Sequence, residues 1–361
     1  MSEQQVVPLR QPLPKAEVVK AIERRWPARV PVWWTGFISP ECAEKYGEDM
    51  VRLKARYPDD FVIFAIDSGR PADFLHMPEW QDKWGITWRR AAGGVGGMPH
   101  YHPLHDGWEH LDQFLATGLP DADRPGLLDP YVQAREANPD SYLVGTWWLG
   151  HLEMFRALRG VANMCTDFHL EKENVWRLGE ALSAFFLRWI DRFARCGFDG
   201  VLLSDDFGIQ KSLLMSPATF REFFKPWYRQ MIERIHGHGI HALLHSCGNV
   251  TEIVPDLIEI GLDVLHPIQA HAMDQAAIAQ KYRGKLSFFG GLDMQDVLPH
   301  GTPAEIDEHV RWLIHNFATP EGGYLLAPGN NIGPDVPLQN IEAFCQASLR
   351  HAGSVRSRAA T

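Results

Sequence analysis

His245 and Cys247 stand two residues apart at the end of the apolar run HALLHSC, residues 241–247. A strand points alternate side chains to one face, so the imidazole and thiol of a strand over this run project together from its end. Nitrogen and sulfur side by side suit a soft divalent metal such as zinc, provided further donors join them; a buried packing thiol is the alternative role for Cys247. Other apolar runs also end in chemistry-bearing residues. GVLLSDD (200–206) ends in Asp205 and Asp206, and Gln269 and His271 follow DVLHPI (263–268). Asp293 follows LSFFGG (286–291), and Asn330 and Asn331 follow GYLLAP (323–328). Adjacent strand residues face opposite ways, so one of Asp205 and Asp206 turns toward His245 and Cys247. Both are candidates for proton handling, Asp206 being favoured as base, metal ligand or substrate anchor, with capping of the following turn as the alternative. Asn330 completes the catalytic candidates. Trp33–Trp34 and Trp147–Trp148 are aromatic pairs at strand exits, for which core packing is the default role and walling of an apolar pocket by one of each pair the functional alternative. Trp34, Trp147, Gln269 and Asp293 are the candidate substrate-binding residues.

The elements that must position these groups follow from periodicity. VPVWW (30–34), FVIFAI (61–66) and YLVGTWW (142–148) bring the short apolar runs to eight, and longer amphipathic stretches separate many of them. Helices are expected over 173–197, over 217–239 with a break or kink at Pro226, and over 302–318 with Thr302 as N-cap and Pro303 in the first turn. Strand–helix alternation repeated eight times predicts an α/β fold, a single (β/α)8 TIM barrel over residues 16–350. The competing doubly wound sheet lacks a glycine-rich phosphate turn after its first strand. Residues 67–141 are too long for one connection and read as an insertion after strand 2 carrying a lid or small sheet; 1–15 and 351–361 read as flexible tails. A barrel enzyme keeps its reactive groups at the carboxyl ends of the strands, which is where the polar residues of this chain gather.

The formal charge of −10 and the absence of a Lys/Arg run set nucleic acid aside. Five scattered cysteines, an odd number, argue against a disulfide scaffold and for a reducing compartment. No run is long and apolar enough for a bilayer, and the first residues lack a signal-peptide core, so no membrane partner and a cytoplasmic location are expected.

VLLSDDFGIQKSLLMSPATFREFFKPWYRQMIERIHGHGIHALLHSCGNVTEIVPDLIEIGLDVLHPIQ, FFGGLDMQDVLPHGTPAEI and APGNNIGPDVPLQNI, with DKWGITWRR and FRALRGVANMCTDF before them, resemble the uroporphyrinogen decarboxylase superfamily from about residue 20 to 348. The resemblance implies the (β/α)8 barrel. Decarboxylases of the family hold an acidic tetrapyrrole with arginines in an N-terminal RQAGR-like motif, and here PVWWTGFISPE (31–41) has no arginine. The chain looks closer to the branch of methyltransferases that move methyl groups between a corrinoid or a methylated substrate and a thiol. Members of that branch bind zinc through His-x-Cys, matched by His245 and Cys247, and a distant second cysteine, for which this chain has Asn330. Another side chain (Asp206, Asp293 or Glu153) or a substrate heteroatom then completes the set, or the site is metal-poor. The implied activity is methyl transfer or demethylation of a small methylated substrate, with zinc and a corrinoid carried by a partner protein. A cofactor-free decarboxylase and a non-catalytic corrinoid- or ligand-binding barrel are the alternatives.

Overall fold

The computed structural model describes residues 7–90, 97–121 and 124–354. Residues 1–6 and 355–361 of the expected tails lie outside the described residues. In chain order the strands are β1 (Phe61–Ala65), β2 (Glu79–Gln81), β3 (Thr87–Arg90), β4 (Gly97–Tyr101) and β5 (Tyr142–Thr146). They continue as β6 (Gly200–Ser204), β7 (His241–His245), β8 (Val264–His266), β9 (Ser287–Phe289) and β10 (Tyr324–Leu325). Seven of them form one curled parallel sheet in the order β1-β5-β6-β7-β8-β9-β10. β2, β3 and β4 form a small antiparallel sheet inside the 67–141 segment.

Each parallel strand is apolar on both faces because both faces are covered. Phe61, Tyr142, Val144, Leu202, Leu243, Val264, Phe289 and Leu325 pack together on the inside of the curl. Their neighbours Leu143, Val201, Leu203, Ala242, Leu244, Leu265 and Phe288 pack outward against the helices. The period of two carries Ser204, His245 and His266 to the inner face at the carboxyl ends. Register then aligns them, with Ser204 opposite His245 and His245 opposite His266.

The expected first strand, 30–34, is reduced to a single parallel bridge between Val32 and Leu326. Trp33 N–H donates to the Leu326 carbonyl (3.0 Å), Leu326 N–H to the Pro31 carbonyl (2.8 Å) and Asp60 N–H to the Val32 carbonyl (2.9 Å). Pro31 has no N–H to extend the ladder, and the chain leaves it for the tight turn Thr35–Phe37.

The helix expected at 173–197 runs Lys172–Arg195. The helix expected at 217–239 is interrupted directly ahead of Pro226. The backbone passes through a wide turn at Phe220–Phe224 and resumes as Lys225–Gly237, where Pro226 occupies the first turn and needs no donor. Pro303–Phe317 begins with Thr302 and Glu305 in a reciprocal capping box. No helix among the described residues is long and apolar enough to cross a membrane.

Candidate metal and active site

β7 delivers His245, and the turn after it delivers Cys247. The loop after β6 brings Asp206 alongside, where its Oδ1 accepts the Cys247 N–H at 2.9 Å. His245 Nε2 lies 3.4 Å from Cys247 Sγ and 3.5 Å from Asp206 Oδ1. All three donor atoms lie within 4.8 Å of one another. Zinc bonds of about 2.0 Å to nitrogen and oxygen and about 2.3 Å to sulfur, at tetrahedral angles, put neighbouring donors about 3.3–3.5 Å apart. Both spacings from His245 match those edges, and with the sulfur and the carboxylate within 4.8 Å of each other this donor set fits a zinc ion.

The tautomer of His245 also fits. His266 Nε2 faces the Pro328 carbonyl at 3.4 Å and has only an acceptor there, so it carries the hydrogen. His266 Nδ1 is then the acceptor for His245 Nδ1–H, at 2.7 Å. The lone pair of His245 is left on Nε2, facing the sulfur and the carboxylate. Burial lowers the pKa of His245, opposed by the Asp206 charge, and burial lowers that of His266 further, with His245 adding to it. Both rings are therefore neutral. Burial raises the Cys247 thiol, the Asp206 carboxylate adds to the rise, and the Asn330 amide opposes it. A thiolate in this setting calls for a positive charge beside it.

Asn330 lies at the edge of this cluster, its Nδ2 donating to Cys247 Sγ at 3.1 Å. Gln269 Oε1 accepts the Gly248 N–H at 2.8 Å and holds the turn after Cys247. Glu153 is buried within reach of the Asp206 charge and bound to Arg156 at 2.9 Å, and burial raises its carboxyl. Asp205 turns the other way. It is fully buried, accepting Leu152 N–H and Glu153 N–H at the start of helix His151–Arg159 (2.8 Å each) and Tyr228 O–H (2.9 Å). Burial pushes its carboxyl well above the usual range against those donors. It anchors the helix that carries Glu153.

Asp293 belongs to a separate cluster, with its Oδ2 2.9 Å from His271 Nε2 and its Oδ1 accepting Gln295 N–H and Asp296 N–H. Trp34 is fully buried, its indole N–H donating to the Tyr57 carbonyl at 2.9 Å. Trp147 is buried and stacked on Phe186 at 4.6 Å, while its neighbour Trp148 is 47% exposed. The sequence reading passed over His266, Arg70 and the greater exposure of Trp148. Strand parity was the available signal for His266, since it shares a face with Val264.

Residues 152–351 match the family model for uroporphyrinogen decarboxylase (URO-D). That match spans more than half of the chain, and the chain belongs to this family. Over 193 residues (53% of this chain, 48% of the relative) it is 24% identical to a methylated-thiol–coenzyme M methyltransferase of Methanosarcina mazei. A methylcobamide:CoM methyltransferase of Methanosarcina barkeri is 25% identical over 45% of this chain and 44% of its own. The uroporphyrinogen decarboxylase of Danio rerio is 27% identical over 40% and 39%. The chain thus spans about half the length, or less, of the curated relatives it matches. A solved methyltransferase from Methanosarcina mazei has the same fold, with a TM-score of 0.70 at 16% identity, over 94% of this chain and 99% of that one.

Proposed function

We propose that this chain is a methyltransferase or demethylase that moves a methyl group from a small methylated substrate to a corrinoid or thiol acceptor, the corrinoid being carried by a partner protein. The single observation that carries the reading is the convergence of the Asp206, His245 and Cys247 donor atoms within 4.8 Å of one another, with His245 Nε2 at 3.4 Å from the sulfur and 3.5 Å from the carboxylate. His245, Cys247 and Asp206 would hold zinc, with one position left for a substrate or acceptor atom. When bound, the ion supplies the charge that keeps sulfur in its thiolate form.

The protein's own groups do the rest. His266 fixes the tautomer of His245. Asp206, bound to the Cys247 backbone, orients the turn and is placed to take a proton. As the methyl–heteroatom bond of the donor breaks, its electron pair stays on the heteroatom, which takes up a proton, and the acceptor nucleophile forms the new bond to carbon. Glu153, with its raised carboxyl, is the second group placed to exchange that proton.

The curled sheet is read as a (β/α)8 barrel whose first strand survives as the Val32 bridge, with 67–141 as the insertion; the observed bridge on one side and the Asp60–Val32 hydrogen bond on the other support this. Free cysteines at all five positions are compatible with a cytoplasmic setting.

The test is methyl transfer followed by the absorbance change of a corrinoid, with a thiol as the alternative acceptor. Transfer that falls at least a thousandfold in Cys247→Ala supports the reading. Release of carbon dioxide from a carboxylated substrate, unaffected by chelators and corrinoids, would overturn it in favour of a lyase.

A further inference from the structure

Asp206 and His245 of the donor cluster line a cavity of 460 Å³ that Arg70, Phe74 and Trp148 also line. Arg70 and Trp148 also line a second cavity of 820 Å³, set between the exits of β1 and β5, the small antiparallel sheet and helix Lys172–Arg195. That volume lies within the range of small-molecule sites. Its walls are aromatic to an unusual degree, including Trp84, Trp88, Trp147, Trp148 and Phe185. Trp84 and Phe185 meet edge to face at 4.9 Å, which leaves indole and phenyl surfaces fixed in place. Trp148, 47% exposed, presents an unburied indole at the junction of the two cavities.

The polar groups of the larger cavity are mostly spoken for. Lys83 is paired with Asp67, and Arg124 lies in the field of that same carboxylate. Asp82 accepts Trp84 N–H, Ile86 N–H and the Trp88 indole N–H. Arg70 differs. Its guanidinium lies 4.1 Å over the Phe74 ring, and it makes no hydrogen bond or ion pair among the described residues. An exposed guanidinium with open donors at a cavity junction matches one carboxylate or phenolate, and it offers little to a ligand bearing many negative charges.

We propose that the larger cavity binds a planar aromatic monoanion, its ring stacked among the indoles and its anionic oxygen on Arg70, so that a substituent passes Trp148 into the space of the donor cluster. The last clause rests on the methyl-transfer reading; the binding itself does not.

The experiment is calorimetric titration of the full chain with 2-methoxybenzoate, cyclohexanecarboxylate and anisole, which separate the aromatic ring from the charge. Binding of 2-methoxybenzoate at least tenfold tighter than either of the others is the expected result. Arg70→Met should weaken it at least tenfold and Trp148→Ala at least fivefold, with thermal melting showing both variants folded. Cys247→Ser should bind within twofold of the unaltered protein, so loss of methyl transfer and loss of the aromatic site are told apart. No binding of 2-methoxybenzoate at 10 mM, binding equal to cyclohexanecarboxylate, or binding unchanged in both Arg70→Met and Trp148→Ala would overturn the proposal.

Discussion

Replacing His266 with phenylalanine tests how the donor cluster is held. The ring is fully buried and stacks against Phe37 at 5.1 Å, so another aromatic ring is the right perturbation, with folding checked by thermal melting. Phenylalanine keeps the packing and removes the acceptor, 2.7 Å away, for His245 Nδ1–H. The His245 hydrogen then loses its reason to stay on Nδ1. Half of the neutral tautomers, or more, would carry it on Nε2, where it blocks the lone pair that faces Cys247 and Asp206. Loss of an outer partner of a metal-bound histidine costs about 10–100-fold in metal affinity, or about 1.4–2.7 kcal/mol. Zinc competition against a chromophoric chelator reads this directly, and nitrogen-15 histidine spectra read the tautomer independently of activity. His266→Asn, which keeps an acceptor in the side chain, should recover part of the loss. Zinc affinity within twofold of the unaltered protein in a folded His266→Phe variant would refute the relay.

Four further outcomes follow from other parts of the molecule. Asp205→Ala strands three buried donors and should lower stability by about 3 kcal/mol or more in urea unfolding, since each unmet donor costs about 1–3 kcal/mol; a change under 1 kcal/mol would contradict the capping role. Burial drives the His151 pKa from its ordinary 6.5 down to about 3. Between those values the unfolded chain binds the extra proton, so this group's stability is full above 6.5 and is lost at about 1.4 kcal/mol per pH unit as pH falls; His151→Gln should flatten that slope in acid unfolding. Thr302→Ala removes half of a capping box and should cost about 1 kcal/mol in the same assay. Asn330→Cys places a thiol where the amide already reaches Cys247 Sγ, and zinc affinity should rise at least tenfold in the chelator competition; no gain would show that the geometry there does not admit a ligand.

Much of this arrangement was legible in the amino-acid order. Seven of the eight apolar runs form the parallel sheet, because continuous apolar runs are stable only where both faces are covered. The eighth, at 30–34, shrank to one bridge because Pro31 removes a ladder donor and the chain turns away at once. The divergent directions of Asp205 and Asp206 follow strand parity, yet the choice between them depended on the β6–β7 register, which aligns Ser204 with His245 and is a tertiary fact. The same holds for the third donor, since Asp206, Asp293 and Glu153 are equally suitable by residue type and only folding separates Asp293 into the His271 cluster. Parity also separates Trp147 from Trp148: counted on from Val144, Trp147 falls on the outer face, where Phe186 of helix Lys172–Arg195 buries it, and Trp148 falls on the inner face and stays open, a distinction that residue type alone does not make.

The most direct measurement on the central claim is metal content by mass spectrometry, on protein purified without a metal-affinity tag, beside Cys247→Ala and Asp206→Asn. The account predicts about one zinc per chain in the unaltered protein, its loss in Cys247→Ala, and a markedly weaker hold in Asp206→Asn. No metal bound after zinc is offered, or equal zinc in all three proteins, would contradict a centre built from Asp206, His245 and Cys247.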